Sequence, residues 1–208
     1  MKKILILAAT MIVSISCSQS PEQKVNALVK TEVKKVLYHP ETYEAVETII
    51  DSAFAPKDDP AFYEKTLKLL NYAMEIQKYM DKANDAEQEM SIWHSSYMDG
   101  FSKTHYNHAK QEYEDCIEQT EKLETKVLKV RGELERLAEP GRRFIGFKVT
   151  HKFRAKNNAG NAMIGKYVYI MNENLTEIVA SYNADSEDYM GVQALYQHWE
   201  EDVEETID

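Results

Sequence analysis

The chain has 208 residues, with 35 acidic against 25 basic side chains and a formal charge of −10. So acidic a surface repels phosphate backbones and argues against nucleic-acid partners. The length suffices for one or two modest domains, and two cysteines are too few for a disulfide-dense scaffold.

The first seventeen residues carry an address. Lys2 and Lys3 precede an apolar run, Ile4 to Val13, which ends in Ser14-Ile15-Ser16-Cys17. A basic start, a short apolar stretch, small residues and a cysteine form the pattern of a bacterial lipoprotein signal. The run is too short to cross a bilayer, which needs ~20 apolar residues. A plain secretory signal is the competing reading, because Ser14 stands where lipoprotein signals usually carry an aliphatic residue. The pattern predicts a signal peptide over 1–16, palmitate-type acylation of Cys17, and attachment to the cell envelope, at the outer membrane rather than the inner. Acyl chains hold a protein firmly, since each buried CH₂ contributes ~0.8 kcal/mol. Loss of residues 1–16 removes Lys2 and Lys3 and leaves a mature chain near −12. Cys116 then has no partner within the chain. It falls on an apolar helical stripe and reads as a buried thiol.

A polar tether, Ser18-Gln19-Ser20, leads into a helix predicted over 21–38, with Val25, Leu28, Val29, Val33, Val36 and Leu37 as its stripe. His39-Pro40 ends it, because the residue before a proline avoids helical angles. Tyr43–Phe54, rich in β-branched residues, predicts a strand. Pro56 to Pro60 marks a loop in which Asp59 is a helix cap.

Two long helices follow. In the second, Tyr106, Ala109, Tyr113, Cys116, Thr120, Leu123, Val127, Val130, Leu134 and Leu137 recur at alternating steps of three and four, a heptad seam. The first carries a weaker series: Phe62, Thr66, Leu69, Ala73, Ile76, Met80, Ala83, Glu87 and Met90. Residues 95–103 lie between, with Gly100 expected to break the helix. The economical reading is an antiparallel coiled-coil hairpin with arms of ~45–55 Å at 1.5 Å per residue. A parallel dimer through the same seam is the alternative.

Pro140-Gly141 closes the hairpin, and the apolar period changes from 3.6 to 2. Ile145, Phe147, Val149, His151 and Phe153 share one face of a strand. Turns at 157–161 and 172–174 separate it from strands at 164–171 and 176–182. A last helix, capped by Asp185 or Ser186, carries a stripe of Tyr189, Val192, Tyr196, Trp199 and Val203. Its acidic tail, Glu200 to Asp208, reads as a solvated end. The fold class is therefore α+β: a small antiparallel β-meander packed with N- and C-terminal helices. The domain is read as discontinuous, 17–58 with 140–208, and the helical hairpin, 59–139, as an insertion.

Chemistry is scarce along this chain. There is no Gly-x-Ser-x-Gly, phosphate loop or dinucleotide fingerprint, and nothing implies a cofactor or an enzyme. His105, His108 and Glu112 share a helix face, with His94 across the turn, yet the set matches no standard zinc spacing, so no metal is expected. His151 on an apolar face reads as a satisfied core histidine. Lys148, Lys152, Arg154 and Lys156 form a basic strip expected to face water or to pair with the acidic last helix. The aromatics Trp93, Tyr97, Phe101 and Tyr106 near the hairpin tip are the expected contact surface for an envelope protein or a second copy; plugging the hairpin's end is their simpler use. A different class of function, small-molecule binding, would use a pocket between sheet and terminal helices where Tyr167, Tyr169, Tyr182 and Trp199 converge.

Two segments carry a resemblance: Leu37-Tyr38-His39-Pro40-Glu41-Thr42-Tyr43-Glu44-Ala45-Val46-Glu47-Thr48, and Phe147 to Asn161 with Arg154-Ala155-Lys156-Asn157-Asn158-Ala159-Gly160. They resemble uncharacterised lipoproteins of Gram-negative gut bacteria of the Bacteroidota type. The resemblance implies a small α+β export domain with a variable hairpin and no known activity. Asp51-Ser52-Ala53 resembles the short O-glycosylation sequon of that group, which would make Ser52 an acceptor.

Overall fold

The computed structural model describes residues 20–94 and 99–205, with side chains described as far as residue 197. The signal segment with Cys17, the tip residue Tyr97 and the Trp199 side chain lie outside that description. The fold is α+β, as the periodicities predict. Helix α1 spans Pro21–Val36 and starts on a capping box: the Gln23 N–H donates to Ser20 Oγ at 3.2 Å, and the Ser20 N–H donates to Gln23 Oε1 at 3.0 Å. After a single 3₁₀ turn, Pro40–Thr42, strand β1 runs over Glu44–Ala55. Helices α2 (Pro60–Trp93) and α3 (Gly100–Ala138) form the hairpin. Strands β2 (Arg143–Lys156), β3 (Ala162–Met171) and β4 (Ile178–Asn183) precede helix α4 (Glu187–Glu205).

The sheet is antiparallel in the order β1-β2-β3-β4. β1 pairs with β2 along its length, from Glu44 opposite Arg154 to Ala55 opposite Arg143. The hairpin is thus spliced between two neighbouring strands. A bulge shifts that register at Ala53/Phe54, opposite Gly146. Gly146 has φ +132°, and a Cβ there would strike the Met171 carbonyl, so only glycine fits.

Each face of the sheet has its own core. Val25, Val29 and Val33 of α1 lie on Val149, Phe153, Tyr169 and Met171, with Ile50 and Phe147 at the margin. The opposite face carries Val168 and Tyr182. Against it stand the hairpin base (Phe62, Tyr63, Val130, Leu134) and α4 (Val192, Tyr196), with Tyr182 and Tyr189 packed alongside. Val36 departs from the expected α1 stripe: it is the last helical residue and stands exposed.

Three expectations about the hairpin change. The α3 seam is as read, with Ala109, Cys116, Thr120, Leu123, Val130 and Leu134 buried. On α2, however, Ala73, Met80 and Glu87 face solvent, while Tyr72 and Tyr79 are half-buried and Ala86 is buried. The seam runs 69, 72, 76, 79, 83, 86, 90, 93, one residue away from the expected series at every other step. The two series share 69, 76, 83 and 90, and the choice between them falls to Tyr72 and Tyr79, whose rings cover far more apolar surface than Ala73 can. Gly100 opens α3 instead of breaking a helix; Asp99 caps it, accepting from the Ser102 N–H at 2.7 Å. Finally, Lys148 pairs with Asp58 at 2.9 Å, not with the last helix.

Candidate functional site

The hairpin arms contain 34 and 39 residues, ~50–58 Å of helix at 1.5 Å per residue. Their base is clamped. Asp58 accepts from both Lys148 Nζ and the Phe54 N–H at 2.9 Å. Asp59 caps α2 through the Ala61 N–H and meets Arg143 at 3.3 Å. Lys65 reaches across to Glu133 at 2.6 Å, and that contact holds the Glu133 carboxyl below its usual range.

The tip is built differently. Trp93 ends α2 and stacks on His105 of α3 at 4.7 Å between ring centroids. Phe101 leans on the same imidazole at 4.4 Å and meets Trp93 edge-on at 5.7 Å. His94 lies against Tyr106 at 5.9 Å. Trp93, His105 and Tyr106 are half-buried and close the end of the helix pair. Ile92 and Phe101, by contrast, remain 73% and 63% exposed. The expected contact residues therefore divide: Trp93 and Tyr106 plug, and Phe101 presents itself to solvent. Ile92 was not singled out by sequence, because an isolated isoleucine off the seam carries no signal until the tip geometry is known. His105 is committed to its ring stack, and no three metal-ligating side chains converge among the described residues.

A second cluster is buried. His151 is 1% exposed and bonded at both ring nitrogens: Tyr43 Oη lies 2.9 Å from Nε2, and Thr48 Oγ1 lies 2.9 Å from Nδ1. Thr48 donates its only proton to Asn26 Oδ1 of α1 at 2.9 Å. His151 must then donate from Nδ1, and in the neutral ring its Nε2 accepts from the Tyr43 hydroxyl. Burial agrees, pushing the imidazole below its ordinary value of 6.5, with a smaller opposing pull from the Glu47 backbone. This chain ties α1 to the sheet and holds no substrate-facing group; the expected role as a satisfied core histidine is what the geometry gives.

The remaining concavities divide by face. A cleft of about 440 Å³ is lined by Phe54, Pro56, Asp58, Phe62, Arg142 and Tyr196, with the Arg142 guanidinium 3.9 Å above the Phe54 ring. Tyr196 Oη is sealed from solvent and, among the described residues, has no hydrogen-bond partner of good geometry. Burial pushes this hydroxyl up to about 12. The neighbouring Thr66 offsets part of that rise, but its own hydroxyl is already donated to the Phe62 carbonyl at 2.9 Å. Beneath α4 the space among Lys148, Val168, Tyr182 and Tyr189 is only about 10 Å³. Tyr167 and Tyr169 lie on the α1 face and Tyr182 on the other, so these rings do not converge. Ser52 is exposed on β1, an edge strand.

Fold and tip together define an α+β sheet domain that carries a coiled-coil hairpin. Comparison with protein-family models, with curated proteins and with solved structures finds no match.

Proposed function

We propose that the protein is a lipid-anchored component of the bacterial cell envelope, held through acylated Cys17 at the outer membrane, which acts by contact and not by catalysis. The hairpin is its contact element, toward another envelope protein or a second copy. The observation that carries this reading is the tip: Ile92 and Phe101 stand exposed on a rigid aromatic stack at the end of a helix pair ~50 Å long. No described helix is long and apolar enough to cross a membrane, which agrees with a lipid in that role. Ser52, exposed on its strand, is accessible as a glycan acceptor.

A photo-crosslinker at position 101 in the native cell tests the contact. One discrete adduct, lost on Ile92→Ser and absent from a probe at the outer-face residue Glu124, is expected. Identical labelling from both positions overturns the tip as contact element. Mass spectrometry of the mature N-terminus tests the anchor, and an unmodified Cys17 would undo it. The alternative, a small-molecule binder, has the 440 Å³ cleft in its favour, where Arg142 and Phe54 offer a charge beside an apolar wall.

A further inference from the structure

The two sides of α1 differ in charge. Its buried stripe, Val25, Val29 and Val33, faces the sheet with no exposure at all. At ~100° per residue, Lys24, Lys30, Lys34 and Lys35 all point ~100° or more away from that stripe. The helix has two acids, Glu22 and Glu32, and both project toward the sheet side by the same count. Glu32 turns its carboxylate to Lys35 at 2.6 Å, and Lys34 lies 6.0 Å from the centre of the Tyr43 ring. Such surface contacts are weak and leave the charges at the surface. The outward face, completed by Ala27 and Thr31, is therefore basic from end to end on a chain whose net charge is −10. Just past the helix, Tyr38 is 72% exposed, a residue suited to the level of lipid headgroups.

We propose that the outward face of α1 docks on a bilayer surface through anionic phospholipid headgroups and so orients the whole domain. The inference rests on the anchored reading above, and the position of the helix favours this partner: Pro21 follows Cys17 by only four residues. A tether that short reaches at most ~14 Å when fully extended, so the start of α1 stays near enough to the bilayer for its lysines to enter the Debye layer of ~8 Å in which an anionic surface attracts them. The core with the hairpin base and α4 lies on the far face of the sheet. Docking by α1 turns that far face away from the membrane.

The test uses the unacylated chain from Ser18 onward, which contains every described element. Co-sedimentation is measured with vesicles of phosphatidylcholine alone and of phosphatidylcholine mixed with phosphatidylglycerol. Binding is expected only to the mixed vesicles and is expected to fade with added salt. Each lysine near an anionic surface is worth about fivefold in affinity. The triple variant Lys24→Gln, Lys30→Gln, Lys35→Gln should therefore bind about a hundredfold more weakly. Its far-ultraviolet circular dichroism should be unchanged. The hairpin variant Lys78→Gln, Lys82→Gln should bind like the parent. No binding to the mixed vesicles, equal binding to neutral ones, or indifference to the triple variant overturns the proposal; the first outcome would leave the basic face to an acidic protein. Acylation of Cys17 is read separately by mass spectrometry, so an acylated protein whose α1 ignores vesicles refutes the docking face alone.

Discussion

The core beneath α1 and the hairpin solve the same problem with different means. Under α1, five residues from three elements (Val25, Val29, Val33, Val149 and Met171) have no exposed surface, and a four-residue hydrogen-bond chain locks helix to sheet. Along the hairpin, the deepest positions toward the tip are Ala83, Ala86 and Ala109, and half-buried tyrosines cover the rest. A helix satisfies its own backbone, so two helices need only a narrow seam between them. A sheet must bury a whole face, and does so with large side chains in fixed register. The sheet core can therefore concentrate stability while the hairpin spends residues on reach, leaving its tip free to carry exposed apolar groups.

The largest effect should come from the sheet. Phe153→Ala empties a ring packed among Tyr43, His151 and Tyr167 and should cost about 3–5 kcal/mol in urea unfolding. A loss below about 1 kcal/mol would erase the contrast. Next comes His151→Leu, which strands the Tyr43 and Thr48 hydroxyls and should cost about 1–3 kcal/mol. The same residue gives a pH signature. Because burial depresses its folded value below 6.5, the unfolded chain binds the extra proton first. Stability from this group is full above pH 6.5 and falls as pH drops through the lower folded value. The Leu variant should flatten that part of the stability–pH curve, and an unchanged slope would assign it elsewhere.

The hairpin predictions are smaller. Tyr79→Ala should cost about 1–2 kcal/mol and Met80→Ala less than about 0.5, the reverse of what the expected seam implies. Smallest is Phe101→Ala, whose thermal unfolding should stay within about 0.5 kcal/mol of the parent, even as the partner contact proposed for the tip is expected to weaken.

The fold was largely legible because its signals are local. Period 2 after Gly141, period 3.6 in the helices before it, and the caps at Asp59 and Ser186 are each read within a few residues, whereas the caps at Ser20 and Asp99 emerged only with the structure. The α2 seam was not, since 3-4 and 4-3 spacings share every other position and only the facing helix decides between them. The Asn26–Thr48–His151–Tyr43 chain was equally hidden: Thr48 and His151 stand 103 residues apart and meet only through strand register. Of the tip, the aromatic residues were visible in the sequence; their division into plug and exposed surface needed the stacked geometry around His105.

Splicing the hairpin between β1 and β2 also sets an order of events. Arg143 and Asp59 are 84 residues apart along the chain, yet they meet at the mouth of the hairpin. An open loop of that length pays a closure entropy growing as (3/2)RT ln n before its ends can meet. A zipped helix pair instead delivers both strand ends to the same place as it forms. The hairpin thus serves folding as a splint that turns the most distant strand pairing into a nearly local one. A lesion in its outer half, such as Ala86→Pro, should slow the formation of a sheet it never touches, and stopped-flow refolding would read that delay directly.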